Sequence, residues 1–287
     1  MIRYSCFQFI PDLKEMWTRC FPSDSDEFIT FYFDHVYRDD QTLVFIESDI
    51  LVASLQMIPY QIKTGQKIVE AAYISGAMTH PGFRRCGYMK QLISAALKEM
   101  KRKGFSASFL IPQEEWLFDF YAKYGYRKAF PLHPEVLFVR KSETNAFCSD
   151  EQIKQYSSIE EADKDVLYPI YSRLLNRKEH AVLKSYHQFS NILKDLFMDN
   201  GMVFACENGI AFLVPDNVEE NTAYLKEFLY MGELRSLFLN TIAQQLDKEK
   251  LIIFNGSSGS QSHFWGMINV LDETNLPEDI YMNTMLN

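Results

Sequence analysis

The chain has 287 residues, 47% of them hydrophobic and 23% charged, and its formal net charge at pH 7 is -9. This composition is typical of a globular protein with a sizeable core, and the length suggests two domains. The negative charge argues against a nucleic-acid partner, because binding a polyanion relies on clustered Lys and Arg, and no apolar run approaches the ~20 residues that a membrane helix needs.

The first half reads as a mixed α/β sheet covered by helices. The predicted elements are a strand at 2–9, helices at 11–21 and 25–37, strands at 42–47, 51–62 and 69–79, a helix from 88, a strand at 105–111, a helix at 112–124 and a hairpin containing Pro131 and Pro134. Ser48 and Asp49 form the first turn, and Lys63 to Gln66 form the second. Ser75 and Gly76 would suit a β-bulge.

Residues 79 to 89, THPGFRRCGYM, join a strand to an amphipathic helix. Apolar residues then recur at spacings of three and four, which predicts one buried helix face: Met89, Leu92, Ile93, Ala96 and Met100. The first amides of a helix have no partners within it and carry its positive dipole end. A glycine there, Gly87, would let an anionic ligand approach closely, so the stretch predicts an anion-binding turn.

This arrangement resembles motif A of the GCN5-related N-acetyltransferases (GNAT), Q/R-x-x-G-x-G/A, which binds the pyrophosphate of acetyl coenzyme A. The matching residues are Arg84, Arg85, Cys86, Gly87, Tyr88 and Met89, where Met89 replaces the last small residue of the motif. The resemblance also implies that backbone groups at Ala77, Met78 and Thr79, on a splayed strand, pair with the pantetheine arm. The alternative is an ordinary strand-to-helix corner with two surface arginines.

A second string, FYAKYGY at residues 120 to 126, follows at the spacing that the family requires. In the acetyltransferases a comparable F-Y-x-x-x-G-F/Y string closes the core, and its first tyrosine lies near the sulfur of the coenzyme. The resemblance therefore implies that Tyr121 is the general acid that protonates the departing thiolate. The alternative is a core residue, because the chain has 16 Tyr and 23 Phe.

Residues 142–150 are mostly polar and predict a linker between a catalytic domain at 1–141 and a second domain at 151–287. The predicted elements of the second domain are a helix to 175 opened by a capping box at Ser158–Glu161, a helix at 182–198, strands at 202–207, 210–214 and 222–230, a helix at 233–246 and a strand at 251–254. This order repeats that of the first half. Only Met231 and Gly232 stand where the first copy has its motif, so the second is predicted to be degenerate.

Two tandem GNAT-like folds, the second degenerate, resemble the enhanced-intracellular-survival type of acetyltransferase. That group adds a third, sterol-carrier-like domain, for which the 287 residues leave no room, so its aminoglycoside activity is not carried over. In those relatives the C-terminal carboxylate acts as the base. The resemblance implies the same role for Asn287, at the end of the strand-like segment IYMNTMLN.

Glu70 is the other candidate base, because some family members carry a catalytic glutamate on this strand. It stands a few residues early relative to Arg84, and an ordinary polar strand residue is the alternative. His80 adjoins the motif, where a lone histidine is more often structural than catalytic.

The predicted function is transfer of an acetyl group from acetyl-CoA to a primary amine of a small molecule or peptide by direct attack. The acidic surface favours a cationic acceptor. The alternatives are a non-catalytic acyl-CoA-binding or scaffold protein and an aminoacyl or longer-acyl transferase. The five scattered cysteines predict no metal site and no disulfide framework, but reduced thiols in a cytoplasm. No nucleic-acid or membrane partner is expected, and a homo-oligomer stays open.

Overall fold

A computed structural model describes residues 1–139, 153–214, 219–256 and 263–286, so the predicted linker at 142–150 lies outside the described residues. The chain forms two compact units. Unit 1 contains Met1–Ala129 and Trp265–Glu278, and unit 2 contains Phe130–Phe264 and Asp279–Leu286. The units therefore differ from the predicted division at 141 to 151, since each of them also takes a segment from the end of the chain.

The strands, in chain order, are β1 (Ile2–Tyr4), β2 (Thr42–Glu47), β3 (Ile50–Thr64), β4 (Lys67–Thr79), β5 (Ala107–Leu110), β6 (Arg127–Leu132), β7 (Glu135–Phe138), β8 (Lys154–Tyr156), β9 (His180–Leu183), β10 (Met202–Cys206), β11 (Gly209–Val214), β12 (Thr222–Tyr230), β13 (Lys250–Ile253) and β14 (His263–Val270). The α-helices are α1 (Ile10–Cys20), α2 (Asp26–His35), α3 (Tyr88–Arg102), α4 (Glu115–Ala122), α5 (Lys164–Leu175), α6 (Tyr186–Met198) and α7 (Arg235–Gln245).

The sheet of unit 1 follows the order β1-β2-β3-β4-β5-β14-β6. Strands β1 to β4 pair antiparallel, α3 then crosses over to β5, which is parallel to β4, and β14 is antiparallel to β5. The predicted apolar face of α3 lies in the core, with four residues completely buried: Leu92, Ile93, Ala96 and Met100. The mixed sheet and the long amphipathic helix are thus confirmed.

The sheet of unit 2 follows the order β7-β13-β12-β11-β10-β8. An antiparallel succession from β10 to β12 leads through α7 to β13, which is parallel to β12. This is the succession that β2, β3, β4, α3 and β5 form in unit 1. Each unit therefore contains the same strand and helix order around its parallel crossover.

Two predictions in the first half were wrong. The first strand ends at Tyr4, because a 3-10 turn at Phe7–Phe9 leads directly into α1. The hairpin at Pro131 and Pro134 does not form, since β6 adjoins β14 whereas β7 pairs with β13. A proline disfavours the α conformation in the residue before it, so His133 continues the chain extended and no tight turn closes.

In the second half the predicted helix starts were wrong. Asp163 caps α5, accepting hydrogen bonds from the amides of Asp165 and Val166, whereas the hydroxyl of Ser158 receives only the amide of Glu161. The predicted helix at 182–198 contains the end of β9, and α6 begins only after Ser185, whose capping box with Gln188 is complete.

The end of the chain also differs from its prediction. Strand β14 was not predicted, and residues 282–286 are not a strand, because only Tyr281 forms a bridge, with Ala181. The α-helices within the described ranges include none that combines the length and the hydropathy needed to cross a bilayer.

Candidate active site

Strands β4 and β5 separate partway along their length. Their pairing ends at Tyr73 and Phe109, but β4 continues for six more residues to Thr79. Strand β14 pairs with the far side of β5 and leaves this opening free. Backbone groups of Ala77, Met78 and Thr79 on the side facing the opening therefore have no β5 partner in the described structure.

A β-bulge lies on the same stretch of β4, as Ser75 and Gly76 predicted. Leu55 of β3 stands opposite two residues, Gly76 and Ala77, and Gly76 has φ 55°. A Cβ at Gly76 would lie 2.9 Å from the ring of Trp17, so a glycine is required both by conformation and by space. The bulge bends β4 beside the opening.

The opening is a cleft of about 540 Å³, part of which is open to solvent. Its walls come from α1, the connection after α1, β4, β5 and α4, and include Trp17, Phe21, Asp24, Tyr73, Ser75, Gly76, Ala77, Leu110, Ile111, Gln113, Leu117 and Tyr121. It is therefore a largely apolar, aromatic cleft with a few polar groups, as in many small-molecule sites.

Tyr121 lies in the wall of this cleft, with only 7% of its surface exposed. Burial raises its pKa to about 12, and the nearby Tyr124 adds to the shift. Its hydroxyl forms no hydrogen bond with any described residue. The side chain thus offers a protonated hydroxyl that is free to donate into the cleft.

The motif loop, defined as Arg84 to Met89, follows the end of β4. Gly87 is the N-cap of α3 with φ 81°, and a Cβ there would meet no atom within 4 Å. The first amide of the helix with an internal partner is that of Gln91, which donates to the carbonyl of Gly87 at 3.2 Å. The amides of Tyr88, Met89 and Lys90 have no acceptor among the described residues and face an open approach.

The two arginines of the motif loop are exposed. Neither Arg84 nor Arg85 forms an ion pair within the described ranges. The Nε of Arg84 lies 3.4 Å from the carbonyl oxygen of Thr79, and Arg85 has φ 65°, an uncommon value outside glycine. The loop therefore combines free amides, a helix N-terminus and two unpaired cations, which is the composition of an anion site.

His80 has a structural contact. Its Nδ1 accepts the amide hydrogen of Gly82 at 3.2 Å and caps the 3-10 turn at Pro81–Phe83. Its Nε2 lies 3.3 Å from the guanidinium of Arg19. The residue helps to shape the motif loop.

The two candidate bases are not brought to the cleft by the described structure. Glu70 is exposed near the start of β4, where it accepts a hydrogen bond from Gln61 at 2.8 Å. At about 3.3 Å per strand residue it lies about 16 Å along β4 from Ser75. Asn287 lies outside the described residues, whereas the segment before it, 280–286, is buried.

Several cleft residues had no signal in the sequence. Asp24 lies in the connection between α1 and α2, and its Oδ2 accepts a hydrogen bond from Trp17 Nε1 at 2.7 Å. Ser75 was singled out only as part of a bulge. Both are brought to the cleft by packing of distant segments, and no local motif marks them.

The corresponding crossover in unit 2 has a different character. Only four residues, 231–234, join β12 to α7, and they include the acidic Glu233. The last β12–β13 pair is Leu225 and Ile253, so Glu227 has the place that Ser75 has after the last β4–β5 pair. Glu227 is completely buried and accepts a hydrogen bond from Tyr281.

Within the described ranges, no cluster of three or more His, Cys, Asp or Glu side chains could hold a metal ion.

Comparison with known proteins identifies the first part of the chain. Residues 2–129 match the family model of an acetyltransferase (GNAT) domain. No curated protein sequence matches the chain.

Solved structures match over nearly the whole length. A GCN5-related N-acetyltransferase from Anabaena variabilis has 12% identity and a TM-score of 0.77, covering 95% of this chain and 73% of that one. Eis1 from Mycobacterium abscessus has 12% identity and a TM-score of 0.70, covering 95% and 74%. The N-myristoyltransferase of Saccharomyces cerevisiae with bound myristoyl-CoA has 11% identity and a TM-score of 0.51, covering 94% and 77%. At these identities the likeness is one of fold. Residues 2–129, which match the GNAT acetyltransferase domain, contain the motif loop, the opened β4–β5 edge and Tyr121.

Proposed function

We propose that the protein is an acetyl-CoA-dependent N-acetyltransferase that acts on a primary amine of a small molecule or peptide. The observation that carries this proposal is the cleft between β4 and β5, which has the motif loop after the end of β4 and Tyr121 in its wall. The match of residues 2–129 to an acetyltransferase domain supports acyl transfer in general, and this arrangement favours a coenzyme A thioester as the donor.

The proposed coenzyme site uses donors and acceptors of the motif loop and of β4. The amides at the start of α3 and the side chains of Arg84 and Arg85 would hold the pyrophosphate, because unpaired amides, a helix dipole and cations all favour an anion. The pantetheine arm would lie in the opening, where backbone groups from Ala77 to Thr79 supply the hydrogen bonds that β5 does not.

The proposed reaction is direct attack. The amine nitrogen attacks the thioester carbonyl carbon, a C–N bond forms and the C–S bond breaks. The nitrogen loses one proton and the departing sulfur gains one, so amine and thioester become amide and thiol. Tyr121 would donate the proton to the sulfur and regain one from the medium, because its high pKa keeps the hydroxyl protonated at neutral pH.

The base is a separate question. The distance of Glu70 from the cleft gives it no support, and the role of the Asn287 carboxylate stays a prediction. An acceptor bound as ammonium must first lose one proton to the medium. The resulting neutral amine needs no strong base, because its second proton leaves the nitrogen only after the C–N bond has formed.

We also propose that unit 2 binds no coenzyme. Its short 231–234 connection has no counterpart of the motif loop, and the larger buried side chain of Glu227 has the place that Ser75 has in unit 1. The domain would then be a degenerate copy of the first.

Two other functions are distinguished by one assay. The likeness to an N-myristoyltransferase favours a longer acyl chain as the second candidate, and a non-catalytic coenzyme-binding protein is the third. The test is release of free thiol from acetyl-CoA and from myristoyl-CoA over a panel of primary amines. We expect amine-dependent release from acetyl-CoA. Thiol release from myristoyl-CoA alone would favour longer-acyl transfer over acetyl transfer. Binding of the thioesters without thiol release from either would exclude catalysis.

A further inference from the structure

We propose that the cleft receives its acceptor as a protonated primary amine, and that Ser75 Oγ accepts a hydrogen bond from that ammonium group. The inference deepens the proposed function and rests on it, because the bound amine is an acceptor only if the protein transfers an acyl group. It concerns binding, and it starts from a buried hydrogen-bond chain behind the cleft wall.

The hydrogen-bond chain joins three side chains and one backbone carbonyl. The hydroxyl oxygen of Tyr32 lies 2.7 Å from Gln56 Oε1 and 2.8 Å from Ser75 Oγ. Gln56 Nε2 donates to the carbonyl of Val36 at 3.2 Å, which fixes the orientation of the amide group. Gln56 Oε1 therefore faces Tyr32 and is able only to accept.

The number of hydroxyl hydrogens sets the donor-to-acceptor direction of the hydrogen-bond chain. Tyr32 has a single hydroxyl hydrogen, and giving it to Ser75 would leave two acceptor oxygens, on Tyr32 and Gln56, facing each other at 2.7 Å. Tyr32 therefore donates to Gln56, and Ser75 donates to Tyr32. The only hydrogen of the Ser75 hydroxyl is then used inside the protein. Ser75 lines the cleft, and its Oγ has lone pairs left with which to accept from a ligand.

Burial keeps this direction fixed. Tyr32 is 1% exposed, Gln56 3% and Ser75 5%, so water does not compete for these bonds. Burial also raises the pKa of Tyr32 well above its ordinary value, which keeps its hydrogen in place. The acceptor character of Ser75 is thus built into the interior and does not depend on the ligand.

The rest of this wall suits a cation. Asp24 holds its carboxylate against Trp17 Nε1 and has no basic partner among the described residues. Trp17 and Phe21 also line the cleft, and their ring centroids lie 5.1 Å apart. A wall with a hydroxyl acceptor, a carboxylate and aromatic faces matches an ammonium group, which has N–H donors, a positive charge and an affinity for ring faces.

The test compares two probes of nearly equal shape by calorimetric titration of the full chain. Tyramine carries an ammonium group at neutral pH, and 4-ethylphenol lacks it. We expect tyramine to bind at least about tenfold more tightly to the wild type, since a hydrogen bond to a charged group is worth about one such factor or more. Ser75→Ala should remove most of this difference in affinity between the two probes. Tyr32→Phe should keep a larger part of it, because the freed Ser75 hydroxyl still has lone pairs with which to accept, although it is no longer held as an acceptor.

Tyr37→Phe is the matched control. Tyr37 is also buried, but its hydroxyl bonds to Ser5 and Asp39 and does not contact Ser75. The control should keep the wild-type ratio. Equal ratios in the wild type and Ser75→Ala, or an equal loss in Tyr37→Phe, would overturn the proposal. Ser75→Val, which also lacks the hydroxyl and suits a strand, decides it if Ser75→Ala does not fold. Absence of thiol release would remove the proposed function while leaving this binding test intact.

Discussion

Tyr121 has a buried ring and a hydroxyl that is free of intramolecular hydrogen bonds within the described structure. A buried tyrosine hydroxyl usually has a partner, because an unpaired polar group loses its hydration without compensation. The residue lines the cleft, where a bound ligand would supply the missing partner. This is the reason to assign it a chemical role and not only a packing role.

Replacing Tyr121 by Phe tests that role. The variant keeps the ring and its contacts with Phe120 and Tyr126, so the dissociation constant of acetyl-CoA should change by no more than about twofold. The kcat of acetyl transfer should fall about a hundredfold, the lower range of general acid catalysis. Tyr124→Phe, on the same segment but with a partly exposed side chain, should be close to wild type. An unchanged kcat in Tyr121→Phe would remove the residue from the mechanism.

The pH dependence follows from the same residue. Burial raises the Tyr121 pKa to about 12, so the acid form persists across the neutral and mildly alkaline range. Rising pH also increases the neutral fraction of the amine. The kcat should therefore stay level or rise from pH 7 to pH 10, as measured by thiol release. A decline over that interval, at constant protein stability, would show that the acid titrates in the range of a free tyrosine.

The residues of the site divide by how far apart they lie in sequence. The motif loop was predicted as a coenzyme site because glycine, arginine and the helix start are neighbours in the chain, and Tyr121 was predicted as the acid because its string has a fixed spacing. Asp24, Tyr32 and Gln56 were not, because only tertiary packing brings them to β4. Their types and neighbours in the sequence are those of ordinary cap, core and strand residues.

At the level of elements, the split of β4 from β5 is what makes a site. The bulge at Gly76 bends β4, β14 takes the far side of β5, and α3 begins after the end of β4. Strands β2 and β12 and the start of α3 were predicted with their observed bounds, because turn residues and Gly87 mark them. Sheet membership of β6, β7 and β14 was not, because it depends on partners more than a hundred residues away.

The cap of α5 gives a prediction at this level. Asp163→Ala should destabilise the helix by about 1 kcal/mol, since the side chain satisfies two otherwise unpaired amides. Ser158→Ala should cost clearly less, because Ser158 receives only the amide of Glu161, outside the helix. Amide hydrogen exchange of the first two turns of α5 measures the difference. Greater loss of protection in Ser158→Ala would restore the capping box predicted from the sequence.

At the level of the whole molecule, two units with the same strand and helix order have different chemistry. Unit 1 has an open cleft, free helix amides and unpaired arginines, whereas unit 2 has a four-residue connection and the buried Glu227. The repeat was predictable because its helices, strands and turns recur in order. The absence of a motif loop in the second copy was also predictable from the sequence, since only Met231 and Gly232 stand at that position.

Calorimetric titration with acetyl-CoA tests the assigned coenzyme site most directly. The wild type should bind one molecule per chain, and Gly87→Glu should lose binding, because a side chain with negative charge would then fill the approach to the α3 amides. Gly104→Glu is the matched control, since Gly104 has φ 84° and equally open space beyond its missing Cβ, so it carries the same backbone strain at the other end of α3. The control should bind as the wild type does. Equal binding by Gly87→Glu and Gly104→Glu, or two molecules per chain, would contradict a single coenzyme site at the motif loop.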